Sequence, residues 1–149
     1  MEKKELELYI HIPFCVRKCN YCDFLSFPAD EDTQRQYVKA LCKEIFYYGA
    51  HCRDYVVSTV YIGGGTPSWL WESDMAEIMD TVHKNFALLP DAEVSVECNP
   101  GTVTAQKFAV YRQSGINRIS LGLQSAQNVE LKMLGRIHTW EQFLKPYEL

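Results

Sequence analysis

The chain has 149 residues, of which 47% are hydrophobic and 23% charged, the balance of an ordinary globular domain. Fifteen Lys and Arg against 19 Asp and Glu give a formal net charge of -4, and the absence of any long basic run argues against a nucleic-acid face. Apolar stretches reach only strand length and the amino terminus, Met1 to Glu7, is charged with no apolar core behind it. Neither a signal peptide nor a spanning helix is therefore expected, and a cytoplasmic protein is.

The first element in chain order is Leu6 to Ile12, whose strict alternation of aliphatic and polar residues predicts a strand closed by Pro13. A loop to about Pro28 holds three of the six cysteines, Cys15, Cys19 and Cys22; Cys42, Cys52 and Cys98 are scattered. From Asp30 to about Tyr48, apolar residues at 37, 38, 41, 42, 45 and 46 mark an amphipathic helix with Cys42 on its packing stripe. Val56 to Ile62 predicts a second strand running into Gly63-Gly64-Gly65-Thr66-Pro67-Ser68. A helix follows with Met75, Ile78, Met79, Val82 and Phe86 on one face. Pro90 to Ala92 is expected to turn, Glu93 to Cys98 to form a third strand, and Asn99-Pro100-Gly101 to end it. A helix from about Thr104 to Gln113 precedes Gly115, placed where a left-handed cap residue belongs. Arg118 to Gln124 predicts a fourth strand and Gln127 to Leu134 a further helix. Thr139 with Gln142 has the spacing of a capping box opening a last helix that meets Pro146.

Four strand-then-helix units in succession imply an α/β fold with a parallel sheet and helices packed outside it. In such folds ligands sit at the carboxyl ends of the strands. Those ends carry the cysteine loop, the glycine run, Glu97-Cys98-Asn99-Pro100 and Gln124-Ser125. Alternation sends Leu6, Leu8, Ile10 and Ile12 of strand one toward the helices, with Val94, Val96 and Cys98 of strand three and Ile119, Leu121 and Leu123 of strand four. Tyr9, Glu97 and Gln124 are left to converge on a polar interior, where Glu97 requires a cationic or donor-rich partner. His11 is expected to be a hydrogen-bonded inward histidine. His51, His83 and His138 are expected at the surface or in caps, and Trp69, Trp71, Tyr47 and Tyr48 in packing.

The Cys15-x3-Cys19-x2-Cys22 cluster is the strongest chemical signal. A disulfide scheme leaves one of the three thiols unpaired. Structural zinc needs a fourth ligand, for which His11 is a candidate, but the usual second cysteine pair is missing. A four-iron cluster on three thiolates fits better, because one iron stays open to bind another molecule.

The stretch Tyr9-Ile-His-Ile-Pro-Phe-Cys15-Val-Arg-Lys-Cys19-Asn-Tyr-Cys22-Asp-Phe resembles the cluster loop of radical S-adenosylmethionine (SAM) proteins. It is most similar to those related to oxygen-independent coproporphyrinogen III oxidase. The likeness continues through Gly63-Gly-Gly-Thr-Pro-Ser, Glu97-Cys-Asn-Pro-Gly and Gly115-Ile-Asn-Arg-Ile-Ser-Leu-Gly-Leu-Gln-Ser to Gly135-Arg136-Ile-His-Thr. It implies a [4Fe-4S] cluster on Cys15, Cys19 and Cys22, with SAM on the open iron and an electron passed from cluster to sulfonium. It further implies that Tyr9, Gly64, Gly65, Thr66, Glu97, Gln124 and Arg136 line SAM sites, with Tyr21 touching an adenine or a second SAM. Taken alone, Gly63 to Gly65 read as a tight strand-to-helix turn and Arg136 as a solvated surface cation.

The resemblance also implies a partial (β/α) barrel of six units, of which four are present. Residues 1–149 would then be the amino-terminal part of a radical SAM core domain, lacking two units of about 30 residues each and any domain beyond. The oxidase carries a further cysteine two residues past the last cluster cysteine, where this chain has Phe24. That departure favours the heme chaperone branch, which implies heme as a ligand, heme-acceptor proteins as partners and an electron donor. The oxidase, decarboxylating a porphyrinogen in porphyrin biosynthesis, is the alternative, and an inactive fragment a third. An open edge after strand four would make the isolated chain poorly soluble or oligomeric.

Overall fold

The computed structural model describes residues 4–149, so Met1 to Lys3 of the charged amino terminus lie outside it. The strands are β1 (Lys4–Ile12), β2 (Tyr55–Gly64), β3 (Leu88–Cys98) and β4 (Arg118–Leu121). The helices are α1 (Glu31–His51), α2 (Glu72–Asn85), α3 (Ala105–Gln113), α4 (Asn128–Met133) and α5 (Trp140–Tyr147). All strand pairs are parallel, in the order β1-β2-β3-β4. The sheet is open, with β1 and β4 at its edges. The strand-helix alternation read from the sequence is therefore the observed architecture.

One face of the sheet carries Ile10, Ile12, Val57, Val60, Ile62, Val94, Val96 and Cys98. Val38 and Ile45 of α1 close over it with Met75, Ile78, Met79 and Val82 of α2 and Tyr111 of α3. Strand period two and helix period 3.6 meet here, each presenting one apolar side. Cys42 packs partly buried against this core, as its place on the α1 stripe requires. An ion pair ties α1 to α2: Arg35 reaches the buried Asp74 at 2.5 Å and Glu77 at 2.6 Å. Helix starts follow the sequence signals. Asp30 caps α1, Thr104 caps α3, and Thr139 with Gln142 forms the full capping box of α5. Gly115 has φ +89°, the left-handed cap expected after α3.

Several expectations need correction. Pro90 to Ala92 does not turn. It lies within β3, where Val57 pairs with Leu88 but Thr59 pairs with Glu93, so the extra residues form an irregularity that accommodates a proline lacking an N–H. Strand four stops at Leu121 rather than Gln124. Beyond it the carbonyls of Gly122 and Leu123 bond to the side chains of Arg136 and His138, and Gln124 takes a left-handed φ of 71° that breaks the strand. His138 is accordingly buried, not superficial. His51 and His83 are exposed and bond backbone carbonyls. Trp69, Trp71, Tyr47 and Tyr48 are exposed rather than packed, and so is Phe46. On α1 the buried stripe runs Val38, Ile45, Gly49, and residues 46 to 48 fall off that side. Pro146 lies inside α5 and does not end it. No helix among the described residues is long and apolar enough to cross a membrane.

Ile78 is fully buried where α2 faces the sheet. Ile78→Ala should cost about 2–5 kcal/mol, read as a lower urea midpoint with unchanged slope. Burial, then the Arg136 cation, holds His138 below its usual pKa. The unfolded chain therefore takes up that proton more readily, and stability falls as pH drops below about 6.5. Urea midpoints at neutral and mildly acidic pH should show this slope, and His138→Gln should flatten it.

Candidate functional site

Parallel pairing brings the four strand ends together, and between them lies a cavity of about 290 Å³. The loop after β1 contributes Cys15, Arg17, Lys18, Cys19, Tyr21, Cys22 and Phe24; the end of β2 contributes Gly64, Gly65 and Thr66. From β3 come Glu97, Cys98 and Asn99; from β4 and the segment after it come Ser120, Gly122, Gln124 and Arg136. Every residue that the resemblance assigned to the cluster or to SAM thus lines one space, except Tyr9.

The base of the cysteine loop is fixed by packing. Phe14 is buried, edge-on to Phe27 at 5.6 Å and to Tyr37 at 5.2 Å. The Cys15 N–H donates to Phe27 O at 3.2 Å and the Phe27 N–H to Pro13 O at 2.9 Å. Cys15 is buried, Cys19 and Cys22 are half-buried, and all six cysteines are free thiols. The glycine run extends the β1 ladder. Gly65 N–H donates to Ile12 O at 2.8 Å and Thr66 N–H to Phe14 O at 2.7 Å. A Cβ on Gly64, whose φ is +115°, would stand 2.6 Å from the His11 ring, and one on Gly65 would stand 2.6 Å from Phe14 O. Only glycine permits this approach of the two backbones.

Glu97 has the donor-rich surroundings that its position demanded. Tyr61 Oη donates to one carboxylate oxygen at 2.7 Å and Gly64 N–H to the other at 3.1 Å. The hydrogen bond to Glu97, with burial adding to it, pushes the Tyr61 hydroxyl up to about 12. Tyr9 lies outside the cavity and 62% exposed, its ring stacked on Tyr61 at 6.2 Å. Its hydroxyl is 3.0 Å from His11 Nδ1, while His11 Nε2 is 3.0 Å from Leu25 O. A carbonyl only accepts, so Nε2 carries the hydrogen and, in the neutral ring, the Tyr9 hydroxyl donates to Nδ1. His11 is therefore the hydrogen-bonded structural histidine expected.

Arg136 is not a solvated cation. Its Nη2 donates to Asn99 Oδ1 at 2.7 Å and Gly122 O at 2.9 Å; its Nη1 lies 3.5 Å from Tyr21 Oη and 3.7 Å from Cys19 Sγ. Its Nε is buried and has no partner among the described residues. Asn99 links three walls, since its amide also donates to Thr66 Oγ1 at 2.9 Å and its N–H to Ser68 Oγ at 3.0 Å. Sequence reasoning missed Tyr61 and Asn99 as parts of the site. Asn99 stood inside a recognised motif, and Tyr61 shares the strand period of the inward residues.

Cys15, Cys19 and Cys22 share the cavity lining with Arg17, Lys18 and Arg136, a cationic wall that suits an anionic thiolate-bound group. No set of three His, Cys, Asp or Glu side chains among the described residues converges as one metal ion requires. Cys98 belongs to the core despite touching the cavity, its thiol pushed up to about 12 chiefly by burial. Brief alkylation at mildly alkaline pH, mapped by mass spectrometry, should therefore label Cys19 and Cys22 well before Cys98.

The chain matches the radical SAM superfamily over residues 9–149. It is 46% identical to the heme chaperone HemW of Escherichia coli over 134 residues, 89% of this chain and 35% of that protein. It is 41% identical to HemW of Mycobacterium tuberculosis over 135 residues, again 89% of this chain and 35% of that protein. Among solved structures it superposes on the E. coli coproporphyrinogen III oxidase HemN, a radical SAM enzyme, with a TM-score of 0.89 and 29% identity. That match covers 97% of this chain and 33% of HemN. The chain thus spans about a third of the length of these relatives. With its motifs at the ends of parallel strands and its match across nearly the whole length, the chain belongs to the radical SAM superfamily.

Proposed function

We propose that residues 1–149 are part of a radical SAM core domain that binds a [4Fe-4S] cluster and SAM in a cytoplasmic heme chaperone. The observation that carries this is the meeting of three free thiols with Gly64, Gly65, Glu97 and Arg136 in one cavity at the strand ends. Cys15, Cys19 and Cys22 would hold three irons as thiolates. When bound, the cluster supplies one electron to the sulfonium of SAM. The bare backbone of Gly64 and Gly65 admits the amino acid end of the ligand. Glu97, held from two sides, offers its remaining lone pairs to a cationic or donor group. Arg136, with an unused buried donor, would meet the ligand's carboxylate, while Thr66, Gln124 and Tyr21 would add polar and aromatic contacts. Tyr9 acts through its stacking on Tyr61.

Two observations favour the chaperone over the oxidase: the likeness to HemW proteins and Phe24 on the cavity wall, where the oxidase pattern has a cysteine. Heme, heme-acceptor proteins and an electron donor are the partners this implies. Anaerobic reconstitution with iron and sulfide should give about four irons per chain with thiolate-to-iron absorbance, and Cys19→Ala should lose it. Unchanged iron binding in that variant overturns the cluster. The reconstituted protein should bind hemin one to one, seen as a shifted Soret band, and leave coproporphyrinogen III unconverted; conversion without hemin binding overturns the chaperone.

A further inference from the structure

The cysteine loop leaves β1 at one edge of the sheet, yet its tip touches the segment that follows β4 at the opposite edge. Arg17 Nη2 donates to Gly135 O at 2.7 Å. The Asn20 N–H donates to Leu134 O at 3.1 Å and the Asn20 side-chain amide to Met133 O at 2.9 Å. The carbonyl of Met133, the last residue of α4, and those of Leu134 and Gly135 just beyond it are thus taken by two residues of the cysteine loop.

Asn20 stands between Cys19 and Tyr21, and the side chains of both lie against Arg136 Nη1. Arg136 directly follows Gly135. The carbonyls that hold Asn20 and the guanidinium that meets its neighbours therefore belong to one short segment. We propose that Asn20, with Arg17, is a positioning pair that latches the cysteine loop to the end of α4 and so presets Cys19 and Tyr21 over the cavity before any metal is bound. The entropy of ordering the loop is then lost on folding rather than on cluster binding, which raises affinity for the cluster without any new contact to it. This inference rests on the assignment of Cys15, Cys19 and Cys22 as ligands, but the latch itself is measurable without metal.

The test uses the full chain and two variants. Asn20→Asp keeps the shape but replaces the amide donor by an acceptor facing Met133 O; Arg17→Ala removes the second clamp. Trypsin cleavage after Lys18, inside the loop, should run about fivefold faster in metal-free Asn20→Asp, the opening expected when one hydrogen bond is lost. Its melting temperature should stay that of the parent. On reconstitution, iron uptake should slow in both variants and the reduced cluster should give a changed electron paramagnetic resonance signal. Parent-like cleavage and iron uptake in both variants overturn the latch. So does a fall in melting temperature large enough to account for the faster cleavage, since Asn20 would then serve only to cap α4. If the parent takes up no iron, the ligand assignment fails, and cleavage at Lys18 still decides the latch.

Discussion

Because β1 to β4 pair in parallel and in chain order, every carboxyl end lies on one side of the sheet, and each loop leaving that side must share space with the other three. The register sets how they share it. Ile12 pairs with Gly64 and Glu97 with Ser120, so the glycine run lies beside the root of the cysteine loop and the carboxylate lies beside β4. Alternation then divides the labour. Ile12, Ile62 and Val96 disappear into the helix-covered core. Tyr61 and Glu97, each one residue away, reach the opposite face and find each other. A helical or antiparallel arrangement of the same motifs would scatter them.

Glu97 shows what this arrangement costs and how the fold offsets it. A carboxylate withdrawn from water loses several kcal/mol unless donors replace the solvent. Tyr61 and the Gly64 N–H do so from β2, and both are available only because β2 and β3 are neighbours. Arg136 is the complementary case. Two of its donors are anchored by Asn99 and Gly122, leaving a buried Nε unused. A polar atom kept dry and unpaired is unfavourable in isolation and useful where a ligand oxygen is to arrive.

The element order, the capping box of α5 and the facing of β1 and β3 were legible in the sequence because each is a local signal: Thr139 before Gln142, aliphatic residues two apart. The members of the site were legible through motifs at the strand ends. What escaped was set by contacts between distant segments. Nothing near Leu123 announces that His138 will take its carbonyl and end the strand early. Nothing near Pro90 shows that β2 will accommodate extra residues beside it. Tyr9 shares the period of an inward residue, yet its ring stacks on Tyr61 outside the cavity, a side-chain contact that alternation does not encode.

The cysteine loop combines both kinds of information. Its base is local: Phe14 enters the core, and the backbone bonds of Pro13 and Cys15 to Phe27 close the loop on itself. Its tip is not, for Cys19 and Tyr21 reach residues more than a hundred positions away. Cys15 is therefore placed by β1, α1 and the glycine run after β2, whereas Cys19 is placed by the segment that follows β4. Three cysteines that look like one motif are held by two separate parts of the fold, and they share one cavity only when the first and fourth strand units are assembled on the same sheet.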